Sequence, residues 1–86
     1  MGRPRPYEPV LSGMATTSLL NLPKARQRLL GRLLFGLAET PTQPGDYSTS
    51  DESGRSVQHI LVGEFHLSYW PDHAARELRI VEIDEI

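Results

Sequence analysis

Gly54-Arg55-Ser56-Val57-Gln58-His59-Ile60-Leu61-Val62-Gly63-Glu64-Phe65-His66-Leu67-Ser68-Tyr69-Trp70 reads as one β-hairpin. Two β-rich runs flank Gly63-Glu64, a two-residue connection of the type I′ or II′ kind, so Val62 pairs with Phe65 and the register follows. Successive strand residues point to opposite faces. Ile60, Val62, Phe65, Leu67 and Tyr69 therefore share one side, and Val57, His59, Leu61, His66, Ser68 and Trp70 share the other. The first is a core face. The second carries two histidines, a serine and a tryptophan, and is where function is expected.

Upstream of the hairpin the periodicity changes from two to that of a helix. Leu30, Leu33, Leu34 and Leu37 follow helical spacing, with Leu29 widening the stripe, and predict a helix from about Pro23 to Glu39 that packs on something apolar. Lys24, Arg28 and Arg32 repeat every four residues on another face, a basic ridge that either meets a partner or keeps the helix soluble. Gly31 and Gly36 each weaken the helix by ~1 kcal/mol relative to alanine and so mark close packing. Ser12 suits the N-cap of a shorter helix ending near Leu22, and Pro23 separates the two helices. Tyr7 to Leu11 reads as a short strand with Pro9 at a sheet edge.

Downstream, Asp46 to Ser50 reads as a strand, Asp51 to Gly54 as a polar turn and Glu77 to Ile83 as a last strand. With Leu78 and Ile80 toward the core, Arg79 joins His59, His66 and Ser68 on the open face. Val81 and Ile83 break that alternation and leave the register of the strand open. The expected fold is α+β, β-α-α followed by an antiparallel meander with both helices on one face of the sheet. Residues 1–6, rich in proline and arginine, are expected to be a flexible segment, and 7–86 a single domain.

Composition excludes several classes of function. No apolar run approaches the ~20 residues of a membrane span, and the first residues carry basic groups without the apolar stretch of a secretory signal. The chain has no cysteine, which excludes disulfides and thiol chemistry and agrees with a reducing cytoplasm. Residues 1–45 hold six Lys/Arg against two acids, and residues 46–86 three Arg against nine acids, so a net charge of −2 hides a basic half and an acidic half.

Leu22-Pro23-Lys24 between the helices, Gly45-Asp46-Tyr47 at the entry to the sheet, Leu61-Val62-Gly63-Glu64-Phe65-His66-Leu67-Ser68-Tyr69 and Leu78-Arg79-Ile80-Val81, in that order, resemble the RelE/ParE superfamily of bacterial type II toxins over nearly the whole chain. The resemblance implies helices on one face of a compact sheet, a concave opposite face, and a small antitoxin as partner. It also implies one of two targets: mRNA in the ribosomal decoding site, cleaved by RelE-like members, or DNA gyrase, bound by ParE-like members without nuclease chemistry. His59, Leu61 and His66 stand where family nucleases often carry arginine, and Asp84-Glu85-Ile86 where they often carry a basic or aromatic group. Ribonuclease activity here is therefore expected to be histidine-based or weakened, with an inactive protein-binding module as a further alternative.

On the nuclease reading, His59 and His66 accept and donate protons and Arg79 or Arg55 steadies the phosphorane. Lys24, Arg28 and Arg32 are then the residues expected to bind RNA, and Leu30, Leu33, Leu37 and Trp70 those expected to meet the antitoxin; the expected assembly is a heterotetramer with the antitoxin or a homodimer. No cofactor is expected. His59, His66 and His73 can also be read as the start of a metal site, but diagonal strand neighbours are ~7 Å apart and no fixed carboxylate or thiolate completes the set.

Overall fold

The computed structural model describes residues 6–86, so the expected flexibility of the first residues falls almost wholly outside the described part. The elements run β1 (Glu8–Leu11), α1 (Gly13–Leu20), α2 (Lys24–Glu39), β2 (Tyr47–Ser50), β3 (Ser56–Val62), β4 (Phe65–Asp72) and β5 (Glu77–Glu85). The strands form one five-stranded sheet in the order β1-β5-β4-β3-β2, antiparallel except where β1 lies parallel to β5. This is the expected α+β arrangement. The parallel pairing was not foreseen, because it joins strands at opposite ends of the sequence and no local pattern encodes it.

The central hairpin has the register read from the sequence, Val62 opposite Phe65, Ile60 opposite Leu67 and His59 opposite Ser68. Gly63 takes φ +60° and Glu64 does not share the positive sign, the pattern of a type II′ turn. Phe65, Leu67 and Tyr69 are buried against Leu30, Leu34, Leu37 and Ala38 of α2 and Ala15 of α1, with Ile60 and Val62 packed at the margin. Tyr69 donates its hydroxyl to the carbonyl of Gln43 at 3.1 Å, which gives its one buried polar atom a partner.

The broken alternation in β5 is a β-bulge. Tyr69 pairs with Ile80 and Ser68 with Glu82, so Val81 is the extra residue. The bulge shifts the phase by one: Leu78, Ile80 and Ile83 all face the core, while Arg79, Glu82 and Asp84 face the other way. Ser12 seals it. Its backbone N–H donates to Ile80 O, its hydroxyl donates to Val81 O at 2.6 Å, and its Oγ accepts from Ala15 N as the N-cap of α1.

Three expectations need correction. Leu30 and Leu37, expected to meet an antitoxin, are core residues, while Leu33 is only partly buried. Lys24, Arg28 and Arg32, expected to bind RNA, lie on α2 and are exposed, on the opposite side of the sheet from the histidines, so they and the histidines do not form one site. A Cβ on Gly31 or Gly36 would meet no atom within 4 Å, so neither glycine serves close packing inside the chain.

Candidate active site

The open face gathers its polar side chains from four neighbouring strands. β3 brings His59, β4 brings His66 and Ser68, and β2 brings Tyr47 and Thr49 through the pairs Tyr47–His59 and Thr49–Val57. The bulge adds Glu82 opposite Ser68 and Asp84 opposite His66. Tyr47, Thr49, Glu82 and Asp84 were not singled out from the sequence. Straight alternation from Leu78 and Ile80 would point the two acids into the core.

β2 is held in place by a close approach. Gly45 N donates to Gln58 Oε1 at 2.8 Å, Asp46 N donates to His59 O at 2.7 Å, and Asp46 Oδ2 accepts from Leu61 N at 2.7 Å. A Cβ on Gly45 would sit 2.3 Å from His59 O, so only glycine lets the chain come this near. The clamp sets Tyr47 flat over His59, ring centroids 4.5 Å apart and planes 2° apart.

The contacts form a line across the face. Thr49 Oγ1 is 2.7 Å from His59 Nε2, His59 Nδ1 is 3.3 Å from His66 Nε2, and His66 Nδ1 is 3.9 Å from Asp84 Oδ2. One set of tautomers satisfies the line: the Thr49 hydroxyl donates to His59 Nε2, His59 Nδ1–H donates to His66 Nε2, and His66 Nδ1–H points at the Asp84 carboxylate. Ser68 Oγ at 3.0 Å shares His59 Nδ1, and Tyr47 Oη at 3.1 Å shares His66 Nε2. Desolvation, followed by the charge of His66, holds the His59 imidazole below its ordinary pKa, against a smaller raising effect of Glu82. His59 is thus a neutral base at pH 7, and a proton it accepts at Nε2 can leave through Nδ1 toward His66.

The arginines expected to complete the site are engaged elsewhere. Arg79 shares the face but bonds Glu77 at 2.9 Å and lies 3.7 Å from Asp72, in the row of Trp70. Arg55 pairs with Asp51 at 3.4 Å and covers the Trp70 ring at 3.8 Å. Asp51 itself organises the turn before β3: it accepts from Ser53 and from Arg55 N, bonds that hold its carboxyl below the ordinary range. His73 is bonded to the Tyr7 hydroxyl rather than gathered with His59 and His66.

No family profile and no curated relative matches the sequence. Solved structures do match in fold. A chain of the toxin-antitoxin complex RelBE2 from Mycobacterium tuberculosis superposes with a TM-score of 0.77 at 20% identity, over 95% of this chain and 100% of that one. A chain of the archaeal RelE-RelB complex from Pyrococcus horikoshii OT3 gives 0.69 at 14% identity, covering 94% and 96%. A chain of the intact E. coli RelBE toxin-antitoxin complex gives 0.60 at 14% identity, covering 93% and 96%.

Proposed function

The RelE-like toxin fold of this chain is the premise here; we propose that the chain is the toxin of a toxin–antitoxin pair, acting in the cytoplasm, and that its open face cleaves RNA by acid–base chemistry centred on His59. The observation that supports chemistry rather than binding alone is the Thr49–His59–His66–Asp84 line, in which a neutral imidazole presents Nε2 to an exposed hydroxyl and passes its other N–H inward.

A ribose 2′-hydroxyl placed where Thr49 Oγ1 now lies gives its proton to His59 Nε2, and the 2′-oxygen attacks the adjacent phosphorus. His59 then passes the Nδ1 proton to His66 Nε2, whose imidazolium faces Asp84. The P–O5′ bond breaks as the 5′-oxygen takes a proton from the Tyr47 hydroxyl, which is restored from His66 Nε2–H. The products are a 2′,3′-cyclic phosphate and a 5′-hydroxyl; the proton count of the enzyme is restored, with His59 left as the Nε2–H tautomer, which proton exchange with water returns to Nδ1–H before the next turnover. In this reading the histidines act in series: His59 is the base, His66 the relay, and Tyr47 rather than a histidine the proton donor to the leaving group.

One observation favours a second reading, a toxin-fold protein that binds gyrase or another protein target without catalysis. Arg79 and Arg55 are ion-paired and Glu82 and Asp84 border the histidines, so the face offers little free positive charge to a phosphate. Induced expression in bacteria, with and without the small reading frame beside the gene, followed by mapping of RNA ends, separates the two. The proposal expects killing rescued by the neighbour and new 5′-hydroxyl RNA ends that His59→Ala reduces by about 10²-fold or more. Unchanged cleavage in a folded His59→Ala variant refutes the chemistry. Killing with intact RNA and gyrase-dependent DNA breaks establishes the second reading, and survival with soluble protein refutes the toxin.

A further inference from the structure

The outer face of α2 is the largest feature that the proposed chemistry leaves unused. Phe35 is 62% exposed, and a hollow beside it is lined by Arg28, Gly31, Arg32, Phe35, Gly36 and Glu39. Arg28, Arg32, Phe35 and Glu39 follow a 4-3-4 spacing and so form one seam along α2, opposite the buried stripe of Leu30, Leu34 and Leu37. Gly31 and Gly36 flank the seam with no atom near either. Lys24, Arg28 and Arg32 make no ion pair among the described residues.

The six lining residues are complementary to themselves. Laid antiparallel on a second copy about the midpoint between residues 33 and 34, Arg28 meets Glu39 and Arg32 meets Phe35. Each of these contacts occurs twice by symmetry. Opposite charges close both ends of the seam, and a guanidinium group lies beside each of the two phenyl rings.

We propose that this face is a self-association surface and that the chain forms an isologous dimer through antiparallel α2 helices. The inference stands on the helix seam and not on the toxin reading. The histidine face lies on the far side of the sheet and stays open in the dimer.

Sedimentation equilibrium of the full chain, at concentrations up to about 1 mM to allow for a small interface, tests it. The expected mass is twice 9.7 kDa at high concentration, falling to 9.7 kDa on dilution. Arg28→Glu alone and Glu39→Arg alone are each expected to stay monomeric with unchanged circular dichroism. An equimolar mixture of the two, and the Arg28→Glu/Glu39→Arg double variant, are expected to associate again, because each restores both opposite-charge pairs. Phe35→Ala is expected to weaken association by at least about tenfold without loss of fold. A wild-type chain that is monomeric throughout overturns the proposal. So does a dimer indifferent to these changes, or single variants that fail to recover association when mixed.

Discussion

Replacing Gly45 with alanine tests the link between backbone packing and the candidate chemistry. The new Cβ would lie 2.3 Å from His59 O, 2.8 Å from its carbonyl carbon and 2.9 Å from its nitrogen. That is roughly 1 Å inside ordinary van der Waals contact of about 3.5 Å, and all three obstacles are backbone, so β2 must lift off β3. Three hydrogen bonds, from Gly45 N, Asp46 N and Leu61 N, hold this junction at 2.7 to 2.8 Å. Each contributes about 1 kcal/mol, and water replaces part of what is lost at an exposed edge, so the expected cost is about 2–3 kcal/mol. Urea unfolding at constant m-value measures it. The same displacement takes the Tyr47 ring off His59 and Thr49 Oγ1 away from Nε2, so the His59 titration followed by NMR should move up toward its ordinary 6.5. A loss under ~0.5 kcal/mol, within the range of an ordinary surface substitution, with an unchanged His59 titration would refute the clamp and the positioning argument built on it.

Other outcomes follow from the same structure. Because the folded His59 pKa is depressed, the unfolded chain binds more protons just below 6.5; the stability it contributes is present above 6.5 and is lost as pH falls through the folded value, so urea midpoints should drop on acidification less in His59→Gln than in wild type. Leu30→Ala should cost about 2–5 kcal/mol in chemical denaturation and Phe35→Ala under ~0.5, since one is fully buried and the other lies on the outer face. Gly31→Ala, which meets nothing within 4 Å, should raise the stability of the monomer by ~0.5–1 kcal/mol in thermal melts at low concentration. Ser12→Ala should cost about 1–2 kcal/mol by the same assays, because it removes the α1 cap and the donor to Val81 O together.

What the sequence disclosed was what is local. The hairpin could be read to the residue, since a two-residue turn with Gly63 at its first central position and strict alternation fix register and facing together. The long helix was legible for the same reason, though Leu30 and Leu37 show that an apolar stripe says a face is covered without saying by what. The candidate site was half legible. His59, His66 and Ser68 lie within the hairpin, whereas Tyr47 and Thr49 come from a short polar strand, Tyr-Ser-Thr-Ser, whose pairing depends on the Gly45 approach to a distant backbone. Asp84 could be found only by reading the spacing of Leu78, Ile80 and Ile83, two and then three, as a bulge, and that reading needs the partner strand.

The bulge has a kinetic consequence. Without Val81 looped out, β5 can pair with β4 one residue out of phase beyond Ile80, a register that satisfies nearly as many ladder bonds but turns Glu82 and Asp84 inward and Ile83 out. The residue that selects the native phase is Ser12, 69 positions away in sequence from the carbonyl it holds. The β3–β4 hairpin can form in microseconds from neighbouring residues, but the last half of β5 is free to slip until the β1–α1 junction docks. Refolding should therefore show a slow phase from chains caught in the slipped register, lengthened by Ser12→Ala. In such chains the aspartate is absent from the histidine pair even though the hairpin is already formed.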